Sequence, residues 1–273
     1  MAVVTGASSG IGAEFARALA ARGCDLVLVA RRRDRLVDLA EELGRNYGTG
    51  AEILSADLAR DEDVERVALR IARETRLELL VNNAGFGLLG DFHDTAAEAQ
   101  MSMYRVHVLA VVRLTHAALP VLIARNRGGV INVSSVAGFT RMPGHTSYAS
   151  TKEWMIAFSE CLHLELRNSG SRVCVQALCP GYTRTEFHEV LGLDRQAIMK
   201  NPKFWMPAGF VVGESLKALD RGQWLAIPGW RYRLIVRFLS VVPRSFLHAI
   251  VTRIARKRRL AAGNTGEDRR APV

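Results

Sequence analysis

The fold of this chain is decided by the stretch AVVTGASSGIG at residues 2–12. An apolar run enters a glycine-rich turn here, and a segment of helical period from Ile11 to Ala21 follows the turn. Glycines between a strand and a helix let the backbone approach a pyrophosphate, whose charge the N–H groups at the helix N-terminus hold. A tight turn without a ligand is the alternative for the glycines taken alone. The flanking elements favour dinucleotide binding, with Gly6, Ser8, Ser9, Gly10, Ile11 and Gly12 as candidate contacts.

Short apolar runs alternate with longer segments of helical period along the rest of the chain. This alternation is typical of a parallel sheet covered by helices on both faces. It predicts strands near residues 2–5, 24–30, 51–55, 77–82, 129–134, 172–178 and 224–227, and helices at 11–21, 33–43, 61–75, 96–125 and 147–168. We therefore predict the α/β class, with a Rossmann-type doubly wound parallel sheet. A single domain over residues 1–228 would be followed by a C-terminal helical extension over 229–273.

The composition excludes several classes of protein. Of the 273 residues, 49% are hydrophobic and 23% charged, close to the average for soluble globular domains and far from a disordered or collagen-like chain. The four cysteines form no C-x-x-C pair, so neither a disulfide framework nor a metal site is predicted. The first strand begins almost at Met1, so either this strand is short or the natural start lies upstream, and we expect no targeting peptide within the given sequence. We expect a cytoplasmic protein with reduced thiols.

The positive charge is concentrated at the C-terminus. Residues 229–273 contain eleven Arg and Lys against two acids, so they carry nine of the ten net positive charges. Aromatic and aliphatic residues accompany these cations, and Arg237, Arg244 and Arg253 interrupt any run long enough to span a membrane. A peripheral position on an anionic membrane surface fits this mixture, whereas a nucleic-acid arm would need fewer apolar residues. We predict membrane contact, no nucleic-acid binding and a disordered tail.

The end of the second strand indicates which dinucleotide binds. Related folds place an acid about 20 residues after the glycines, where it bonds the ribose 2′-hydroxyl. This chain has Ala30-Arg31-Arg32-Arg33 there, without an acid. Guanidinium groups suit a 2′-phosphate by charge and by geometry. The sequence predicts NADP(H) in preference to NAD(H), with Arg31 as the main contact and Arg32 beside it, while Arg33 is interpreted as a solvated helix start.

Three polar residues are predicted to meet in one cleft. Tyr148 and Lys152 are four residues apart in a helical segment and so lie on one face. A nearby cation favours the phenolate of a tyrosine, which brings a proton donor or acceptor toward neutral pH. Ser135 ends an apolar run 13 residues upstream, at the carboxyl edge of the sheet where doubly wound folds bind ligands. This arrangement predicts general acid–base chemistry.

Taken together, these motifs resemble those of the classical short-chain dehydrogenase/reductase family. The family's T-G-x-x-x-G-x-G lies at residues 5–12, its N-N-A-G at 82–85, its serine and Y-x-x-x-K at 135 and 148–152, and its P-G-x-x-x-T at 180–185. Order and spacing agree over roughly residues 2–228. The extension is more weakly similar to the C-terminal part of long-chain 3-oxoacyl reductases, the branch that the pattern resembles most.

The resemblance implies a role for each matched residue. Tyr148 would donate a proton to a carbonyl oxygen that Ser135 holds, and Lys152 would lower the pKa of the tyrosine and bind the nicotinamide ribose. Asp57 would bond the adenine, Asn83 would position the cofactor and Thr185 would bond the carboxamide. Further cofactor contacts implied by the family are Leu58, Ala84, Gly85, Pro180, Gly181 and Thr183, together with Tyr148 and Lys152 themselves.

One position departs from the family pattern. His107 stands where the family usually has an asparagine that holds a water for a proton relay to the lysine. Imidazole can both donate and accept, so a relay through water with altered pH dependence is one interpretation. The others are a hydrogen-bonded core histidine, or a cofactor-binding sensor or scaffold with weak turnover.

The substrate is predicted from the segment near residues 186–207, which forms the lid in this family. Its apolar residues favour an apolar or chain-like substrate over a sugar, since a sugar would need many placed polar groups, although any one of them could be core: Phe187, Leu191, Leu193, Phe204, Trp205 and Met206. We predict interconversion of a ketone and a secondary alcohol, on a long-chain 3-oxoacyl thioester or acid first and a steroid or other lipid ketone second. A homodimer is left open.

Overall fold

Seven parallel strands form the centre of the protein. The computed structural model describes residues 1–187, 202–243, 245–247 and 251–253. The strands of the sheet are β1 (Ala2–Thr5), β2 (Leu26–Ala30), β3 (Ala51–Ser55), β4 (Leu79–Asn82), β5 (Gly129–Val133), β6 (Cys174–Leu178) and β9 (Leu225–Ala226). Their order across the sheet is β3-β2-β1-β4-β5-β6-β9. A separate pair joins β7 (Thr183–Arg184) to β8 (Met206–Pro207). The predicted doubly wound sheet is confirmed.

Helices cover both faces of this sheet. They are α1 (Gly10–Ala20), α2 (Arg33–Tyr47), α3 (Asp61–Ala72), α4 (Ala97–Tyr104), α5 (Ala110–Arg125), α6 (Thr146–Asn168), α7 (Ala208–Asp220) and α8 (Trp230–Val241). Successive strand residues point to opposite faces. Val4 and Leu28 accordingly join the core beneath α1, α2 and α7, while Val3 and Val27 join the core beneath α3 and α5. Every residue of β1 and β2 is buried, which explains the uninterrupted apolar sequence of these two strands.

The sequence prediction and the structure differ in two helical regions. The segment predicted as one helix over 96–125 is two α-helices joined by a π-helical turn at Arg105–Leu109. The stretch Ala97–Arg125 is also long and apolar enough to cross a membrane, but half of its most apolar window is buried, and α5 packs against α3. We therefore assign it to the core. Helix α7 was not predicted, although it buries Val211, Val212 and Leu216.

The predicted extension begins with a helix that packs on the domain. Tyr232 and Val236 of α8 are buried, and Tyr232 belongs to the same core cluster as α1 and α7. The predicted lid is described only at its two ends, because residues 188–201 lie outside the described part of the chain. The predicted disordered tail likewise lies outside it from residue 254 onward.

Candidate active site

The glycine turn is shaped by close backbone packing. Gly6 has a φ of +64°, a conformation that residues with a side chain rarely adopt. Gly12 lies so near the β4 loop that an added Cβ would be 2.3 Å from the carbonyl oxygen of Gly6 and 2.4 Å from Nδ2 of Asn83. The packing of the turn therefore requires glycine at positions 6 and 12, in addition to any contact with a ligand.

The turn is tied to the loop after β4 by two side chains. Thr5 Oγ1 accepts hydrogen bonds from the backbone N–H groups of Asn83 and Ala84, at 2.9 and 3.0 Å. The amide nitrogen of Asn83 donates to the carbonyl oxygens of Thr5 and Gly6, at 2.9 and 3.2 Å. Asn83 thus holds the glycine turn in place through the backbone carbonyl groups of that turn. Ala84 and Gly85 lie in the same tied segment.

The N-terminus of α1 fits a dinucleotide pyrophosphate. Helix α1 begins at Gly10, and the side chain of its N-cap residue Ser9 makes no capping hydrogen bond to the first turn. The first N–H groups of a helix have no partner within the helix, and they attract anions. The N–H groups of Gly10, Ile11 and Gly12 would hold the phosphates there.

The arginines after β2 take different positions. Arg32 donates from Nε and Nη2 to Ser8 Oγ of the glycine turn, at 3.3 and 3.2 Å. Arg31 has an exposed side chain, and its carbonyl oxygen accepts a bond from Ser55. Arg32 is therefore the arginine that the structure joins to the phosphate-binding turn. The main contact predicted for Arg31 stays a prediction.

Asp57 and Leu58 follow β3. The Asp57 carboxylate accepts from the N–H of Ala59 at 3.1 Å, and the Asp57 N–H donates to Asp63 at 2.7 Å. Leu58 is buried in the core. These contacts form the turn into α3, so Asp57 has a structural role here. The adenine contact implied by the resemblance stays a prediction.

Ser135, Tyr148 and Lys152 meet at the carboxyl end of β5. The Ser135 side chain lies beside the Tyr148 hydroxyl and acts to lower the pKa of that hydroxyl. Lys152 Nζ lies 5.7 Å from the centre of the Tyr148 ring and donates to the carbonyl oxygen of Val133 at 2.8 Å. Ser134 Oγ donates to the Lys152 carbonyl at 2.7 Å, which fastens α6 to the strand end. The predicted convergence of these three residues is present.

Burial dominates the ionisation of the site. It raises the pKa of Tyr148 to about 12, and the effect of Ser135 only partly opposes this. It also lowers the pKa of Lys152 to about 8, against a smaller opposing effect of Cys179. The phenolate expected from the nearby lysine is therefore not favoured in the free protein. Tyr148 holds its proton at neutral pH, as a proton donor must.

His107 is fully buried, and both of its ring nitrogens have protein partners. Nε2 accepts the backbone N–H of Phe86 at 3.1 Å, and Nδ1 lies 3.0 Å from Thr151 Oγ1. The Thr151 hydroxyl donates its proton to the Tyr148 carbonyl at 2.9 Å, so Nδ1 must carry the hydrogen of the ring. Burial, and next the charge of Lys152, hold the histidine pKa well below its usual range.

These contacts change the interpretation of His107. The neutral ring links the loop after β4 to helix α6, and it packs so closely on Gly85 that an added Cβ would be 2.7 Å from Nε2. A water relay through the imidazole would have to break one of its two hydrogen bonds. The geometry matches the core-histidine interpretation, because His107 holds the backbone at Tyr148 through Thr151.

The P-G-x-x-x-T segment lies opposite the glycine turn. The Pro180 carbonyl accepts the N–H of Val136 at 3.0 Å, and Thr183 Oγ1 donates to the Gly181 carbonyl at 3.0 Å. Thr185 lies against Gly10, where an added Cβ would be 3.0 Å from its side chain. The segment is thus part of the same cleft.

Aromatic residues lie around Tyr148 and around the P-G-x-x-x-T segment. The centres of the Phe187 and Tyr148 rings are 6.0 Å apart, and Tyr182 stacks on Trp205 at 5.3 Å. Tyr232 of α8 packs onto Gly181, and its hydroxyl accepts the Tyr182 N–H and donates to the Phe204 carbonyl. The sequence interpretation missed Tyr232, because its partners are 28 and 50 residues away.

Comparisons with known proteins show the family of this chain. A family model described as short chain dehydrogenase matches residues 1–196. The oxidoreductase UcpA of Salmonella typhimurium is 37% identical over 205 residues, which are 74% of this chain and 75% of that protein. The very-long-chain 3-oxoacyl-CoA reductase of Bos taurus is 29% identical over 197 residues, which are 69% of this chain and 61% of that protein.

Several solved structures share this fold over most or all of the chain. A short-chain dehydrogenase from Sphingobium yanoikuyae in complex with NADPH has a TM-score of 0.78 and 33% identity, covering 100% of this chain and 97% of that one. The bulky-bulky ketone specific alcohol dehydrogenase from Comamonas testosteroni has a TM-score of 0.74 and 29% identity, covering 100% and 96%. A Burkholderia phymatum member in complex with NAD has a TM-score of 0.76 at 24% identity, covering 86% and 91%.

These features and matches define an oxidoreductase. The chain belongs to the short-chain dehydrogenase/reductase family, as its motifs predicted. Its fold occurs with NADPH in one neighbour and with NAD in another, so the fold alone does not select the cofactor.

Proposed function

We propose that this protein is an NADP(H)-dependent reductase that interconverts a ketone and a secondary alcohol on a hydrophobic substrate. The observation that carries the proposal is the meeting of Ser135, Lys152 and the protonated Tyr148 hydroxyl, with the Phe187 ring 6.0 Å from the Tyr148 ring. A proton donor (Tyr148), a hydroxyl that can bond a carbonyl oxygen (Ser135) and an apolar side chain (Phe187) thus lie close together.

The residues have complementary tasks in this chemistry. A nicotinamide held beside these residues would supply the hydride to the carbonyl carbon in reduction and would accept it from that carbon in oxidation. Tyr148 gives its proton to the carbonyl oxygen during reduction and takes it back during oxidation. Ser135 holds that oxygen by a hydrogen bond. The Lys152 ammonium group lowers the cost of the negative charge left on Tyr148, because opposite charges attract strongly in a buried site.

NADP(H) is favoured by the end of β2 and the start of α2. Ala30 offers no carboxylate to a ribose hydroxyl, and Arg32 reaches Ser8 of the phosphate-binding turn. We expect Arg31→Ala and Arg32→Ala each to weaken NADPH binding by about 1.5 to 3 kcal/mol, with little effect on NADH. Titration of each cofactor against wild type and both variants checks this. Equal weakening of both cofactors would contradict the assignment.

The substrate class follows from the aromatic groups around the cleft. Phe187, Tyr182, Trp205 and Phe204 offer apolar surface, which suits a long acyl chain or a fused-ring ketone. A long-chain 3-oxoacyl thioester or acid is the first candidate, and the similarity to a very-long-chain 3-oxoacyl-CoA reductase supports it. A steroid or other lipid ketone is the second.

A substrate panel tests the proposal. Ketones and alcohols of increasing chain length, steroids and sugars are assayed with NADPH and with NADH. We expect kcat/KM with NADPH to rise with apolar size and to be smallest for sugars. Tight NADPH binding without turnover of any compound would instead support a cofactor-binding sensor or scaffold.

We also propose that α8 contacts a membrane surface from the cytoplasmic side. Its outward face exposes Trp230, Leu234 and Phe238, with Arg233 and Arg237 exposed on the same helix. Apolar side chains beside cations suit the interface of anionic lipids. At 12 residues, the helix is shorter than the about 20 needed to span a bilayer.

Vesicle co-sedimentation at low salt tests the membrane proposal. The double variant Arg233→Gln/Arg237→Gln should bind anionic vesicles less than wild type does, by about 1 kcal/mol per charge. The matched control is Arg60→Gln/Arg73→Gln, which removes the same charge beside α3. Equal loss in both variants, or no binding by wild type, would reject a role for α8.

A further inference from the structure

Glu186 is bound by the arginines that follow β2. Its carboxylate accepts from Arg32 Nη1 at 3.0 Å and lies 3.7 Å from Arg35 Nη1. The Ser9 side chain lies near this carboxylate and makes a small contribution to its lowered pKa. Arg32 also donates to Ser8 of the glycine turn. The Glu186 carboxylate thus belongs to one network that joins the glycine turn to the start of α2.

This set of donors is the kind that binds a phosphate monoester. Two guanidinium groups and a serine hydroxyl supply charge and hydrogen bonds to an anion, and they lie beside the turn proposed for the dinucleotide. Glu186 itself comes from the distant segment after β7, 154 residues from Arg32. The bonds from Arg32 hold the pKa of Glu186 below its usual value, so the carboxylate is charged at neutral pH.

We infer that Glu186 competes with the cofactor's 2′-phosphate for Arg32 and thereby limits the preference for NADPH over NADH. This inference rests on the proposed NADP(H) function. A phosphate that carries up to two negative charges must displace the carboxylate or share Arg32 with it, and the two anions repel each other. A cofactor with a plain 2′-hydroxyl meets neither cost.

The decisive variant is Glu186→Gln, which keeps the size of the side chain and removes its charge. Dissociation constants are measured by titration for NADPH, NADH, adenosine 2′,5′-bisphosphate and AMP. We expect the two ligands with a 2′-phosphate to bind about three- to fivefold tighter than to wild type, the upper range for exposed ion pairs. NADH and AMP should change less than twofold. The gain should shrink as added salt screens the charges.

A matched control is Glu65→Gln. Glu65 forms an exposed ion pair with Arg113 at 2.7 Å on the other face of the protein, so this variant makes the same change in net charge. It should leave all four dissociation constants unaltered. An equal gain in Glu65→Gln would show a general charge effect and overturn the inference.

The remaining outcomes separate this inference from the proposed function. Weaker binding of adenosine 2′,5′-bisphosphate to Glu186→Gln would show that Glu186 orients Arg32 rather than competing for it. Unchanged binding of that ligand would also overturn the inference. A wild-type protein that binds NADH more tightly than NADPH would refute the proposed cofactor, yet a gain in bisphosphate binding by Glu186→Gln would still support the competition.

Discussion

The two sides of the cleft are built differently. On the cofactor side, the turn at residues 5–12 and the loop at 82–85 follow two neighbouring strands, β1 and β4. They are held together by hydrogen bonds between backbone groups and the side chains of Thr5 and Asn83. On the side of the aromatic residues, called the substrate side here, Tyr182 and residues 202–207 are joined by the β7–β8 pair and also through Tyr232, a side chain from α8. The cofactor side is held by loops of adjacent strands in the main sheet, whereas the substrate side combines a short strand pair with a side chain from a distant helix.

This difference matches what each side has to recognise. A dinucleotide presents the same phosphates in every reaction, so a turn packed without room for a Cβ at Gly12 can be fixed by the fold. Carbonyl substrates vary, and loops carried by a rigid sheet can change without disturbing the core. We therefore expect substitutions on the two sides to affect different measured quantities.

Tyr148 lies between the two sides, and its replacement should have the largest effect. Tyr148→Phe removes the transferable proton and keeps the ring, so kcat should fall by at least about 100-fold while NADPH affinity stays nearly unchanged. Steady-state kinetics and cofactor titration measure the two quantities. Tyr104→Phe, on an exposed tyrosine of α4, is the control and should be neutral. Near-normal turnover of Tyr148→Phe would place the proton donor elsewhere.

A methyl group at Gly12 should damage the cofactor side. Gly12→Ala forces a Cβ toward the Gly6 carbonyl and Asn83, and such overpacking costs about 1 to 3 kcal/mol of unfolding free energy. Denaturant unfolding and titration with both cofactors should show lower stability and weaker binding of NADPH and NADH alike. Gly44→Ala is the control, because Gly44 lies within α2 and an added Cβ there meets nothing within 4 Å. That control should be stabilised by up to about 1 kcal/mol. Equal behaviour of the two variants would contradict the packing argument.

Loss of the Tyr232 hydroxyl should affect the substrate side. Tyr232→Phe leaves the N–H of Tyr182 and the carbonyl of Phe204 without this partner, which costs about 1 to 2 kcal/mol. We expect KM for an apolar ketone to rise while the dissociation constant of NADPH stays constant. Tyr47→Phe, on an exposed tyrosine at the end of α2, is the control. Weaker NADPH binding by Tyr232→Phe would show that the two sides are coupled.

The sequence by itself predicted the sheet, the glycine turn and the meeting of Ser135, Tyr148 and Lys152. Each of these depends on a pattern contained in a few neighbouring residues, such as an apolar run, a glycine where the turn needs a positive φ, or the four-residue spacing of Tyr148 and Lys152. Such patterns reflect local backbone geometry, so they can be recognised without knowing what lies opposite. The family resemblance then gave each residue a chemical role.

Only the tertiary structure decided which partners these residues meet. The protonated nitrogen of His107 depends on Phe86 and Thr151, which are 21 and 44 residues away. Arg32 meets Glu186 across 154 residues, and burial in the assembled core sets the pKa of Tyr148. Contacts of this kind form only when distant segments pack together, and no local pattern in the sequence encodes the approach of one particular side chain to another.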